Sequence, residues 1–322
     1  MEVVAVDIGG THARFAVAEV AEGRVVSMSP PVTQKVAEHP SLQLAWQAFA
    51  ATLDRPAPRA AAIAVASPVG GEIIKLTNNP WIIRPALIPD RLGAEIWTVV
   101  NDFEAIGHAV AQFDDSNFQH LCGPETPLPA SGSLTVCGPG TGLGVAQVFR
   151  HGGGYHVIAT EGGHSDFAPL DPIEDALVQR LRKTYTRVSK ERVAAGPAIV
   201  SIYETLAELE GKPFQRLDDK EIWQLAFDGR DSLAVAALDR FCLSLGAVAG
   251  DLALSHGPTG VVIAGGLGLR LKSHLLQSGF GERFVAKGRF RGLMATIPVK
   301  LITHPQPGLF GAAAAFAQEH AR

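Results

Sequence analysis

The chain has 322 residues, 47% hydrophobic and 19% charged, more apolar material than one simple core needs. That predicts two domains, or one with a deep cleft, and excludes a disordered protein. A formal net charge of -4 with no run of Lys or Arg leaves no basic field, so neither nucleic acid nor membrane is expected as a partner.

The first apolar run, Val3 to Asp7, contains an acidic residue and follows no basic leader, so no secretory signal is expected. Runs such as Val261 to Ala264 fall far short of a membrane span. Cys122, Cys137 and Cys242 are scattered without CxxC spacing, which suits small buried hydrophobes in a reducing cytosol.

Val3 to Asp7 reads as a strand entering the turn Gly9-Gly10-Thr11, and alternation from Arg14 to Ala18 returns as its hairpin partner, with Arg24 to Met28 a third strand. Leu42, Ala45, Trp46, Phe49 and Leu53 fall at helical spacing after Pro40-Ser41. Short strands follow at Ala60 to Ala66 and Glu72 to Leu76. Thr77-Asn78-Asn79-Pro80-Trp81 is rich in turn chemistry, with Asn78 and Asn79 shaping a wall.

Ile96 to Val100 is a β-branched, apolar run that ends at Asn101-Asp102, where the helical pattern of Phe103, Ile106, Val110 and Phe113 begins. Ligands of open α/β sheets bind at such strand ends. An aspartate there is either a helix N-cap or a general base. A loop rich in proline and glycine follows, from about Leu121 to Gly132. Leu134 to Cys137, the turn Gly138 to Gly144, and Val145 to Phe149 repeat the strand, glycine turn and strand of the amino terminus. Tyr155 to Thr160 is a strand ending at Glu161-Gly162-Gly163-His164.

From Pro172 the pattern is helical: Ile173 to Tyr185, Ser189 to Val193, Ile199 to Glu210, Lys220 to Phe227, and Leu233 to about Ser255. Val261 to Ala264 is a buried strand closed by Gly265-Gly266. Val299 to Ile302 is the last strand and Gly308 to His320 an alanine-rich helix.

Glycine turns let main-chain N–H groups approach an anion, and threonine adds a hydroxyl donor. Asp7, Ile8, Gly9, Gly10 and Thr11 in the first turn, and Gly138, Gly140, Thr141 and Gly142 in the second, are therefore candidate polyphosphate cradles. Ordinary tight hairpins are the alternative. Gly265 and Gly266 would let a nucleotide's base and ribose pass where a side chain would collide. Asp7 could organise Mg²⁺ through water. Other phosphate motifs fail: no G-x-x-x-x-G-K-[ST] exists, and Gly138-x-Gly140-x-x-Leu143 lacks the third glycine and precedes a strand.

DIGGTHAR (Asp7 to Arg14), LTNNPW (Leu76 to Trp81), NDFEA (Asn101 to Ala105), GPGTGLG (Gly138 to Gly144), EGGHSDFAP (Glu161 to Pro169), SKERVAAGP (Ser189 to Pro197), IAGG (Ile263 to Gly266) and KGRF (Lys287 to Phe290) span nearly the whole chain. In that order they resemble the actin-like ATPase superfamily of sugar kinases and, within it, bacterial glucokinases of the proteobacterial type. The sequence departs from that pattern at His12, where asparagine is usual, at Pro139, where alanine is common, and at Pro305 to Gly308, which replaces a more acidic run.

The resemblance implies an α/β, two-domain actin-like ATPase (ribonuclease H-like) fold with an interdomain cleft. A small α/β domain would comprise residues 1–112 plus 303–322 and a large, partly helical one residues 113–302. It implies phosphorylation of D-glucose at the 6-hydroxyl by ATP with Mg²⁺. Asp102 would be the base, and Asn101, Asp102, Glu161, His164, Glu191 and, more weakly, Asn78 the sugar contacts. It further implies a cytoplasmic homodimer whose ion is carried by ATP, with no metal held directly by the protein. A broader hexokinase or glucomannokinase using another donor stays open, as does a glucose-sensing protein without catalysis.

Overall fold

A computed structural model describes residues 1–76 and 79–321. The chain forms two compact units, Met1–Asp114 with Tyr155–Ala159 and His304–Arg322, and Asp115–Gly154 with Thr160–Thr303.

The first unit is built on β1 (Glu2–Ile8), β2 (His12–Ala21), β3 (Arg24–Met28), β4 (Val32–Lys35), β5 (Ala60–Val65), β6 (Ile74–Lys75), β7 (Ile82–Ile83) and β8 (Ile96–Asn101). Its main sheet runs β3-β2-β1-β5-β8, with β4 also on β2 and β6-β7 a separate ribbon. β1 and β2 are antiparallel through the glycine turn, whereas β1–β5 and β5–β8 are parallel. Parallel strands are covered on both faces, and β5 accordingly reads AAAIAV with every residue buried.

Alternate residues of β1 serve the two faces. Val4, Val6 and Ile8 pack with Trp46 and Phe49 of the helix Leu42–Ala50. Val3 and Ala5 pack with Leu309, Ala313 and Phe316 of the helix Pro307–His320. Each large side chain so buried stabilises the fold by about 2–3 kcal/mol. The helix Asp102–Gln112 lies against this last helix so closely that a Cβ on Gly311 would fall 1.8 Å from Ala105 O. The register places Val65 opposite both Ile8 and Asn101, which aligns the first turn with the start of the Asp102 helix.

The second unit carries β9 (Phe118–Cys122), β10 (Gly132–Pro139), β11 (Leu143–His151), β13 (Gly260–Ile263) and β14 (Val299–Ile302), while most of β12 (Gly154–Thr160) groups with the first unit. Its sheet runs β11-β10-β13-β14-β9. The antiparallel hairpin followed by two parallel steps repeats the first sheet. Helices Pro172–Arg182, Ala198–Leu209, Asp219–Phe227 and Ser232–His256 supply much of the core. The last has 25 residues and is long and apolar enough to cross a membrane, but 72% of its most apolar window is buried inside the protein. Asp231 caps its start through Leu233 and Ala234 N–H, and Gly257 ends it at φ 57°. Cys137 and Cys242 are buried and Cys122 partly so; burial pushes all three thiols up to about 12, as expected of core cysteines.

Several elements differ from the sequence expectation. β4 and β9 are additional edge strands. The strand expected over Glu72 to Leu76 shrinks to Ile74–Lys75, because its partner among the described residues, Ile82–Ile83, is equally short. The expected helix Ser189 to Val193 is the single turn Glu191–Ala194.

Candidate functional site

At the end of β8 the structure corrects the reading of Asp102 as the N-cap. Asn101 holds that position: its Oδ1 accepts Phe103 and Glu104 N–H at 2.9 and 3.3 Å, and Glu104 returns a carboxylate oxygen to Asn101 N–H. This is a capping box. Asn101 Nδ2 donates to Ser67 O at 3.3 Å, tying the cap to the loop after β5. Burial raises the Glu104 carboxyl above its ordinary value, opposed by its bond from the Asn101 amide. Asp102 therefore occupies the first helical position, half-buried, with Oδ1 3.0 Å from Phe103 N.

The first turn lies at the same strand ends. Gly9 N–H donates to His12 O at 2.9 Å, closing the hairpin. Ile8 is buried and reaches the turn only through its main chain, while Gly10 and Thr11 are exposed. Asp7 meets Arg14 at 3.4 Å. Burial raises the Asp7 carboxyl above its usual range and the Arg14 guanidinium opposes this. A Cβ on Gly308 would lie 3.1 Å from the Asp7 carboxyl carbon, so glycine lets the last helix begin against it.

Asn79, read from the sequence as a wall residue, anchors this turn. Its Nδ2 donates to Gly9 O and its Oδ1 accepts Trp81 N–H, both at 2.9 Å. Asn78 lies outside the described residues.

In the second unit, Gly140 N–H donates to Gly142 O at 2.8 Å. Gly138 pairs with Gly144 across the hairpin, and Gly140 and Thr141 are exposed at its tip. Gly196, which carried no phosphate signature within Ala195-Gly196-Pro197, donates its N–H to Gly140 O at 2.8 Å; a Cβ there would fall 2.9 Å from that oxygen. Gly265 has φ +84°, and its Cβ would be 2.7 Å from Pro139 O. The strand-end pair Gly265-Gly266 is thus packed beside the second turn, with Gly266 exposed.

Three of the expected sugar residues converge in this unit. His164 Nε2 lies 3.7 Å from Glu161 Oε2 and 4.0 Å from Glu191 Oε2. The turn carrying His164 presses onto β11, since a Cβ on Gly163 would be 2.4 Å from Leu143 O. Lys190 fixes the segment of Glu191 to that turn through its N–H to Ser165 O and its Nζ to Ser165 Oγ at 2.6 Å. Among the described residues no cluster of three His, Cys, Asp or Glu side chains has the geometry to hold a metal ion.

The family model described as Glucokinase matches residues 4–319. The glucokinase of Zymomonas mobilis subsp. mobilis is 60% identical over 320 residues, covering 99% of each chain. Among solved structures, a glucokinase from an Antarctic psychrotroph matches with a TM-score of 0.86 and 33% identity over 98% of each chain. A ROK hexokinase from Thermus thermophilus matches with a TM-score of 0.63 at 18% identity over 98% of each chain, which shows the shared fold alone. The fold is therefore the α/β, two-domain architecture of the actin-like ATPase sugar kinases, as the sequence motifs implied. Family model, near-complete relative and structural match agree, and the chain belongs to the glucokinase family.

Proposed function

We propose that the chain carries out the family's reaction, transfer of the ATP γ-phosphoryl to the 6-hydroxyl of D-glucose, with Asp102 as general base. The observation that carries this assignment is the place of Asp102: it is the first residue of the helix that follows β8, directly after the Asn101 capping box and at the same strand ends as the first glycine turn.

Phosphoryl transfer passes through a loose transition state in which the protein mainly positions reactants and neutralises charge. A carboxylate of ordinary basicity suffices, because the hydroxyl becomes acidic only as its bond to phosphorus forms. Asn101, Asp102, Glu161, His164 and Glu191 are the residue types, amide, carboxylate and imidazole, that a ring of hydroxyls demands. Such groups reject a sugar lacking the matching hydroxyl, since they would be left unpaired.

In the second turn Gly140 N–H is bonded to Gly142 O and Leu143 N–H to Glu191, so the phosphate contacts are assigned to the Thr141 and Gly142 amides. In the first turn Gly9 N–H is bonded to His12 O, which leaves Gly10 and Thr11 the same task. Asp7, a single half-buried carboxylate, fits contact with Mg²⁺ through water rather than as its cage. Bound with ATP, the ion neutralises the β- and γ-phosphate oxygens. We place the enzyme in the cytoplasm as a homodimer, to be checked by light scattering as a mass twice 34.0 kDa.

The deciding experiment is Asp102→Asn in a coupled assay for glucose 6-phosphate with ATP and Mg²⁺. A fall in kcat of about 10²–10⁴-fold is expected, with glucose still bound in calorimetry. Retention of kcat to within about threefold would remove Asp102 from the role of base.

A further inference from the structure

Glu191 is assigned above to the sugar, yet one of its oxygens is already engaged elsewhere. Oε2 accepts Leu143 N–H at 3.0 Å, and Leu143 is the residue at which the second turn rejoins β11. The same oxygen lies 4.0 Å from His164 Nε2, and a Cβ built on Gly142 would be 2.7 Å from it. One carboxylate thus touches the phosphate turn on one side and a sugar residue on the other. Its side chain is 23% exposed, against 72% for Glu161 and 59% for His164. Unlike those two, it is seated in the turn.

We propose that Glu191 is a positioning residue for the phosphate turn as well as a sugar contact, so that glucose and nucleotide binding are linked through its carboxylate. The proposal rests on the sugar and phosphate assignments made above. A carboxylate accepting a backbone N–H forms a charge-assisted bond, stronger than a neutral one. A glucose hydroxyl donating to Oε1 holds the headgroup in the orientation that keeps Oε2 on Leu143 N–H. That in turn fixes the neighbouring Thr141 and Gly142 amides at the phosphate. Linkage is reciprocal, so nucleotide must improve glucose affinity by the same factor. ATP is gripped well only when the acceptor sugar is present.

The glycine supplies the test. Gly142→Ala would place a methyl group against the end of a flexible side chain rather than against backbone, so the fold survives while the Glu191 carboxylate is displaced. Gly292→Ala is the control, because Gly292 lies outside both turns and its Cβ would meet nothing within 4 Å. Glucose and a non-hydrolysable ATP analogue are titrated by calorimetry, each alone and each with the other saturating. In the unaltered protein, glucose should raise analogue affinity at least about fivefold, and the analogue should raise glucose affinity equally.

Gly142→Ala, although in the phosphate turn, should weaken glucose about tenfold and reduce the coupling below about twofold. Glu191→Ala should abolish the coupling. Glu191→Gln, which retains a carbonyl for Leu143 N–H, should weaken glucose yet keep most of it. Gly292→Ala should leave glucose affinity and the coupling within about twofold. Coupling below about twofold in the unaltered protein, or unchanged glucose affinity in Gly142→Ala, overturns the linkage. Absence of glucose phosphorylation by the unaltered protein would instead overturn the functional assignment on which it stands.

Discussion

The turn between β1 and β2 is steadied by a side chain, Asn79, whose amide spans Gly9 O and Trp81 N–H. The turn between β10 and β11 has a side-chain brace too, Glu191 on Leu143 N–H, but its tip is steadied by main chain: Gly196 N–H holds Gly140 O, and Gly265 packs against Pro139 O. The strand order around the two hairpins is the same, but the means of holding each tip differs. A side-chain brace can be removed at the cost of its hydrogen bonds. Main chain packed on main chain tolerates no added atom, because neither partner swings away. The second turn is therefore the more rigid and the more easily broken.

The largest effect that would test this contrast is expected at Gly265. Alanine there would combine an unfavourable positive φ with a Cβ 2.7 Å from Pro139 O, and the turn must shift. We expect kcat/KM for ATP to fall about a hundredfold. A loss smaller than about threefold would show that the second turn is as adaptable as the first.

Asn79→Ala probes the first turn. It strands Trp81 N–H and Gly9 O, and urea titration should show a loss of about 2 kcal/mol, with a milder rise in the KM for ATP. A hundredfold loss of activity at unchanged stability would reverse the ranking of the two turns.

The smallest effect concerns acid sensitivity. His108, in the first unit, is buried and its imidazole is pushed down to about 4, whereas His256, in the second, is lowered less far by its partial burial. A depressed histidine contributes stability that is complete above about pH 6.5 and lost as pH falls towards 4. His108 should thus remove about 1 kcal/mol of stability between pH 7.5 and 5.5. Chemical denaturation of His108→Gln at both pH values should show a flatter dependence, and His256→Gln a smaller change. Equal slopes in the two variants would mean that the units share the acid sensitivity.

Both hairpins, the buried parallel strands and the Asp102 helix were legible because their signals are local: alternation, glycine at the turn, a polar residue before a helical period. β4 and β9 were not. Val32 to Lys35 is a short half-polar strand after a proline pair, and Phe118 to Cys122 places Gln119 and His120 in an edge strand, so neither shows a clean apolar period. The proposed sugar residues Glu161, His164 and Glu191 came from family motifs and not from spacing, since nothing local brings Glu191 to His164. Gly196 escaped because its role is a close approach to a residue distant in sequence. The Asn101-Asp102 pair showed a cap and a carboxylate without showing which residue did which. Their competition for the cap position was settled only by the capping box with Glu104.

The alanine-rich helix Pro307–His320 has a consequence for biosynthesis. Val3, Ala5, Ala16, Ala62 and Ala64 form a nearly flat, small-residue face that this last segment covers. During translation that face lacks this cover while residues 115–303 are made, and the amino-terminal sheet can seal only after the helix Pro307–His320 has left the ribosome. The intervening unit carries its own core and has no such wait. A newly made chain therefore owes its protection from aggregation, until the helix Pro307–His320 is made, to whatever shields the exposed alanine face.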